Sequence, residues 1–256
     1  MPQRIYLDNA ATSFPKPAAV YDAVDRYQRE QGAPVGRGAY QTAMDVHKVV
    51  KRCRKRAAEV LGAETVERVL FTFNGTDSLN LALHGLLRPG DHVVSSVMEH
   101  NSVLRPLRWL ETHRGVEVTL GGANGEGRIE PADVQRALQP NTRLIVLIHA
   151  SNVIGTLQPV EDVGEIARAA GASFLVDAAQ SAGHWPINLS ELPVDALACP
   201  GHKGLLGPLG TGLLYLRPGL EDHVESLRQG GTGAQSEDDH QPQSLPDKYE
   251  AGNHNA

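Results

Sequence analysis

Cysteine is scarce here: the 256 residues hold two, Cys53 and Cys199. They have no metal-type spacing and cannot build a disulfide framework. Histidine is plentiful at 11, yet no pair has the H-E-x-x-H spacing and no cysteine–histidine cluster has zinc spacing, so no metal site is expected. Positive charge is in short supply. The formal net charge is -6, which gives no general attraction to nucleic acid or to anionic membranes. No apolar run is long enough to span a bilayer, and no charged n-region with an apolar h-region opens the chain, so a cytoplasmic location is expected. No G-x-G-x-x-G opens a helix after the first strand, which weakens a dinucleotide reading. What remains, 41% hydrophobic and 21% charged, fits a soluble protein with one large core.

Lysine is rare too, with six in all, and one stands apart. Lys48, Lys51 and Lys55 share a helical segment dense with arginine, and Lys16 and Lys248 sit in turn-like stretches beside prolines and aspartate. Lys203 lies in Cys199-Pro200-Gly201-His202-Lys203-Gly204-Leu205-Leu206-Gly207-Pro208, between the apolar runs Val194 to Ala198 and Gly212 to Leu216. A lysine held in a tight loop between two core strands can have its amine pKa lowered and form a Schiff base. The plain alternative is a surface loop lysine.

The pattern along the chain alternates. A helix is expected after Pro17 with Val20, Val24 and Tyr27 on one face. Another is expected from about Thr42 to Leu61 with Met44, Val46, Val49, Val50 and Val60 inward. Its basic stretch, Lys48 to Arg56, reads as a solvated face, and Cys53 within it as incidental. Strands follow at Val69 to Phe73, His92 to Ser96, Val116 to Leu120, Leu144 to Ile148 and Ser173 to Val176, ending on Asp177. Helices are expected between them over Ser78 to Leu87, Asn101 to Arg114, Pro131 to Leu138 and Val160 to Ala170. Continuously apolar strands alternating with helices point to an α/β fold with a mostly parallel sheet covered on both faces. Ligands bind such sheets beyond the carboxyl ends of the strands. Asn74-Gly75-Thr76, Glu99-His100, Ser151-Asn152, Asp177 to Gln180 and His202-Lys203 all fall there. Past Tyr215 the chain turns polar, and Gln229 to Gln243 reads as a long loop.

A Schiff-base lysine, an aspartate at a neighbouring strand end, an imidazole and a glycine–threonine turn opening a helix meet the needs of pyridoxal 5'-phosphate (PLP). A carboxylate beside the pyridine nitrogen makes the ring a better electron sink, and a helix N-terminus binds the phosphate. Taken singly, His100 could be an ordinary core or surface histidine and Asp177 a helix N-cap.

Tyr6 to Thr12, Met98 to Asn101, Ser151 to Thr156, Val176 to Ser181 and Gly201-His202-Lys203 together resemble, in order over nearly the whole chain, the signatures of class V aminotransferase-fold enzymes, specifically cysteine desulfurases. The resemblance implies the large domain of the PLP-dependent transferase fold type I. It implies that Lys203 holds PLP as a Schiff base, that Asp177 pairs with the pyridinium nitrogen and that His100 stacks on the ring. It places Gln180 and Asn152 near the phenolic oxygen and substrate, and Gly75, Thr76 and His202 at the phosphate. Thr232 would reach the phosphate held by a second subunit, which implies a homodimer.

The implied activity converts L-cysteine to L-alanine with sulfur passed to an acceptor protein. Selenocysteine lyase, aminotransferase or epimerase chemistry would use the same PLP residues, and a non-catalytic dimerising or partner-binding remnant is the alternative from another class. Pro200 departs from the family, whose members commonly carry a hydroxyl residue there, and proline lacks even the backbone N–H. The family's nucleophilic cysteine and carboxylate-binding arginine lie in a region beyond these residues, and Cys199 reads as a buried structural cysteine. The expected organisation is an arm over 1–16, a PLP-binding large domain over 17–228, and over 229–256 a polar loop leading toward a missing small domain. Such a chain is expected to bind PLP and to transfer sulfur poorly or not at all.

Overall fold

The computed structural model describes residues 5–35, 38–234 and 237–253. Seven strands form one sheet: β1 Val69–Thr72, β2 His92–Ser96, β3 Glu117–Gly121, β4 Thr142–Ile148, β5 Ser173–Asp177, β6 Ala196–Pro200 and β7 Gly212–Leu216. Their spatial order is β1-β7-β6-β5-β4-β2-β3. Only β7 runs against its neighbours, β1 and β6; the other pairings are parallel. The C-terminal ends of all strands but β7 therefore open on one edge, and β7 begins there.

The helices are α1 Ala18–Arg26, α2 Gln41–Leu61, α3 Gly75–Leu86, α4 Asn101–Arg114, α5 Pro131–Ala137 and α6 Val160–Ala170. The central strands are apolar along their whole length because both faces are covered. On one face Val94, Ile145, Leu147, Phe174 and Val176 pack with Ala58 and Leu61 of α2, Val134 of α5 and Val163 of α6. On the other, Val93, Leu144, Val146 and Leu175 pack with Leu79 and Leu83 of α3 and Val103 and Leu107 of α4. The one-residue alternation along each strand assigns its side chains to the two layers. Among the described residues no helix is long and apolar enough to cross a membrane.

Several boundaries differ from the sequence expectation. The strand before the lysine loop starts at Ala196, two residues late; at Asp195 the carboxylate, in place of a backbone carbonyl, accepts from Phe174 N at 2.7 Å. Phe73 leaves β1 and is 51% exposed, its N–H donating instead to Asp77 Oδ2. In α2, Val46 and Val50 are buried as expected, but Met44 and Val60 face outward, and Arg54 takes an inward position. Arg54 fits there because Glu250 meets its guanidinium with two bonds, at 2.6 and 2.7 Å. The helix expected after Pro17 is α1, and none of its residues is buried. The rest of the basic stretch, Lys48, Lys51, Arg52, Lys55 and Arg56, is exposed.

Candidate active site at the strand ends

Lys203 follows β6 in a loop that doubles back into β7. Leu206 N bonds Lys203 O at 2.9 Å, and Gly207 N bonds Gly201 O at 2.7 Å. Leu206 has φ 59, a left-handed conformation that is strained for a bulky side chain. The strain marks a turn closed by its surroundings. Burial lowers the pKa of the Lys203 amine, and the Asp177 carboxylate opposes that shift.

Asp177 ends β5, beside β6 in the sheet, and is 2% exposed. Its Oδ1 accepts from Ala179 N at 2.9 Å. Burial raises its pKa, while that bond and the positive potentials of His100 and Lys203 act the other way. Asp177, His100 and Lys203 are thus electrostatic neighbours although they follow three different strands.

His100 is the N-cap of α4, its Nδ1 accepting from Ser102 N at 3.1 Å. Capping is the role weighed for Asp177 from sequence, and it falls to the histidine. Ser102 Oγ lies 2.9 Å from His100 Nδ1 and 2.7 Å from Thr76 Oγ1, so a hydroxyl links the imidazole to the first turn of α3. Asn74 caps α3, accepting from Asp77 N at 2.9 Å. A Cβ on Gly75 would come within 3.1 Å of Pro200 Cδ, and one on Gly212 within 2.6 Å of the Asn74 backbone. Glycine at both positions lets β6, β7 and the α3 N-terminus close around one cup. An anion fits such a helix start, where free N–H groups and the helix dipole converge.

The N-terminal segment covers the lysine loop. His202 O accepts from Ser13 N, Ser13 Oγ, Thr12 Oγ1 and Lys16 Nζ, at 3.1, 2.9, 3.1 and 2.8 Å. His202 Nδ1 lies 3.0 Å from Thr12 Oγ1, and Gln180 Nε2 donates to Ala10 O at 2.9 Å. Burial and the neighbouring lysines depress the His202 pKa, so a neutral imidazole is favoured.

The structure therefore brings together Lys203, Asp177, His100, Gly75, Thr76, His202 and Gln180. Asn152 lies exposed in the turn after β4, and no described contact ties its side chain to the others. Thr232 bonds within its own loop, to Ala234. Cys199 is 0% exposed and burial pushes its thiol up to about 12, which leaves no nucleophilic thiolate at neutral pH. A groove of about 630 Å³ lined by Val60, Glu161, Trp185 and Leu192 includes none of the predicted site residues. Sequence reasoning assigned no task to Ser102, Lys16 or Glu99. Glu99 had a visible signal, an acid three residues past the end of β2 and next to His100; the other two become visible only through contacts across the fold.

The chain is similar to known proteins over most of its length. A probable cysteine desulfurase of Methanothermobacter thermautotrophicus is 38% identical over 252 residues, spanning 97% of this chain and 62% of the relative. The apo structure of a cysteine desulfurase from Thermococcus onnurineus NA1 superposes with a TM-score of 0.90 at 37% identity, over 97% of this chain and 63% of that one. SspA, solved in complex with cysteine, superposes with a TM-score of 0.82 at 32% identity, over 88% of this chain and 65% of that one. The fold is thus that of solved cysteine desulfurases, and the chain spans about 62% of the first relative's length. The family model for class-V aminotransferases matches residues 5–256, and the chain belongs to that family.

Proposed function

We propose that this chain carries the cofactor site of a PLP-dependent cysteine desulfurase. The observation that carries the reading is the meeting, at one sheet edge, of a half-buried lysine of lowered pKa with a buried aspartate and the imidazole that caps α4. The residues present fit the cofactor: the glycine-walled start of α3 suits a phosphate, and a buried carboxylate that accepts from Ala179 N suits a pyridinium. Bound PLP supplies an electron sink for bonds at the substrate's α-carbon.

Lys203 is the group to anchor the cofactor, because desolvation favours the free amine that attacks a carbonyl. The same amine, when not holding the cofactor, would move a proton at the substrate's α-carbon. Asp177 faces the ring nitrogen, with His100 and Lys203 favouring its charged form against the burial that disfavours it. His100, fixed by Ser102, offers its imidazole face for stacking. Thr76 and His202 serve the phosphate, with Pro200 supplying packing in place of a donor. Gln180 and Asn152 lie on the side of the phenolic oxygen and substrate. Among the described residues Thr232 bonds within its own loop, to Ala234, which suits donation to a second copy in a homodimer. L-Cysteine is the substrate that the cysteine-bound relative supports, with sulfur passed to an acceptor protein, in a cytoplasmic setting.

The test is the visible absorption of the purified chain with added PLP, beside Lys203→Ala. A protonated Schiff-base band only in the unmutated chain is the expected result; matching spectra would remove Lys203 from the role.

A further inference from the structure

Glu99 is a buried acid without a task in the reading above. It lies between β2 and α4, next to His100, and is 6% exposed. Its Oε1 takes two hydrogen bonds, from Ser96 Oγ at 2.6 Å and from Ile148 N at 3.0 Å. Its Oε2 is buried with no hydrogen-bond partner among the described residues. A charged carboxylate with one oxygen orphaned in this way is strongly disfavoured against the neutral acid.

The placement connects Glu99 to Asp177. Ile148 pairs in register with Asp177, and the next amide, His149 N, donates to Asp177 O at 2.9 Å. Glu99 thus fastens the turn bearing His100 to the strand lying alongside Asp177. Two carboxyls buried this close resist ionising together. Their surroundings decide which keeps the proton. Asp177 has His100 and Lys203 as positive neighbours. Glu99 has no positive neighbour of this kind: burial raises it to about 8 and the Asp177 charge adds to that, against the lowering by its bonds from Ser96 and Ile148. Of the other titratable groups packed at this strand end, Cys199, raised by burial and by the Asp177 charge, and His149, lowered by burial, are both favoured neutral.

We propose that Glu99 is an uncharged positioning residue: as a neutral acid it ties the His100 turn to the end of β4 and leaves Asp177 as the one anion of the pair, free to face the cofactor's ring nitrogen. The ring-nitrogen part rests on the PLP reading above; the neutrality of Glu99 does not. A buried carboxylic acid kept neutral at pH 7 has precedent as a general device.

Infrared spectroscopy of the cofactor-free chain at pH 7 tests it directly. A protonated-carboxyl C=O band is expected in the unmutated chain, retained in Asp177→Asn and lost in Glu99→Gln. Absence of the band in the unmutated chain, or its persistence in Glu99→Gln, overturns the proposal. Should Glu99→Gln fail to fold, the pH dependence of the unmutated band decides: loss near pH 8 supports the neutral acid, and loss in the ordinary carboxyl range sinks it. In a PLP titration, Glu99→Gln is expected to keep its affinity within about threefold, since the amide preserves shape and neutrality; a loss of tenfold or more would mean that a carboxylate charge is needed. Failure of the unmutated chain to take up PLP would sink the cofactor reading instead, with the infrared band still deciding the state of Glu99.

Discussion

Near its N-terminal end the chain gathers Thr12, Ser13 and Lys16 around a single carbonyl, His202 O. Near its C-terminal end it inserts Glu250, 5% exposed, between the Arg54 guanidinium and Phe71 N. Both are long-range polar contacts, yet they differ in water. The Glu250 carboxylate and the Arg54 guanidinium are dehydrated and meet two-on-two, so neither can be removed without stranding the other. The contacts at His202 are partly wet, and a lost donor there can be replaced by solvent. One attachment is a lock on the fold, and the other is an adjustable cover on the lysine loop.

Removing one partner of the lock gives the largest expected effect. Glu250→Ala should destabilise by about 3–5 kcal/mol in urea unfolding, because it leaves Arg54 charged and buried. The double variant Arg54→Met, Glu250→Leu should recover most of that loss; if it does not, the contact supplies more than charge compensation. Glu99 gives the next effect. Its folded pKa of about 8 lies above the ordinary carboxyl value of 4.5, so its contribution is fully present below pH 4.5 and is lost as pH rises through about 8, on the order of 4 kcal/mol between pH 5 and 9. Urea midpoints measured from pH 5 to 9 should fall less in Glu99→Gln than in the unmutated chain.

Lys16→Ala should cost about 1 kcal/mol of stability while weakening PLP uptake, since the donor it removes steadies the loop of Lys203. Equal stability loss with unchanged uptake would turn the cover into a mere lock. Glu221, whose backbone oxygen accepts from Lys248 Nζ and Tyr249 Oη, is held by Arg68 at a pKa of about 2. A depressed carboxyl stabilises above its unfolded value and loses that contribution as pH falls toward about 2. Glu221→Gln should flatten the acid limb of the stability curve by about 1 kcal/mol, after allowance for solvent screening. The smallest effect belongs to an exposed helical pair: Arg29→Ala, which removes the contact with Asp25 at 2.8 Å, should stay within about 0.5 kcal/mol.

Much of the sheet was readable from the chain, because a strand covered on both faces must be apolar throughout, as Leu144 to Ile148 is. Five of the expected helices end within a few residues of their observed limits, since capping and stop residues such as Asn74 and Gly171 act locally. The misreadings have one cause. Met44 and Val60 were placed inward on hydrophobicity, but a helix face turns toward whatever packs on it, and at Arg54 that partner is an acid from 196 residues away. The same holds at the site. The strand-end position of Asp177 and the loop position of Lys203 follow from order along the chain. The Thr76–Ser102–His100 relay and the four donors on His202 O do not, because each joins segments whose nearness only the closed fold creates.

By itself, then, the sequence determined the alternation of strand and helix, the edge on which polar residues emerge, and the family signatures spread along that edge. These depend on burial pattern and local backbone preference, which neighbours in sequence dictate. The tertiary structure decided which emerging groups become partners, where Arg54 and Glu99 are dehydrated, and which of two adjacent carboxyls keeps its proton. Those outcomes depend on desolvation and distance between segments remote in sequence, and neither exists until the sheet is assembled.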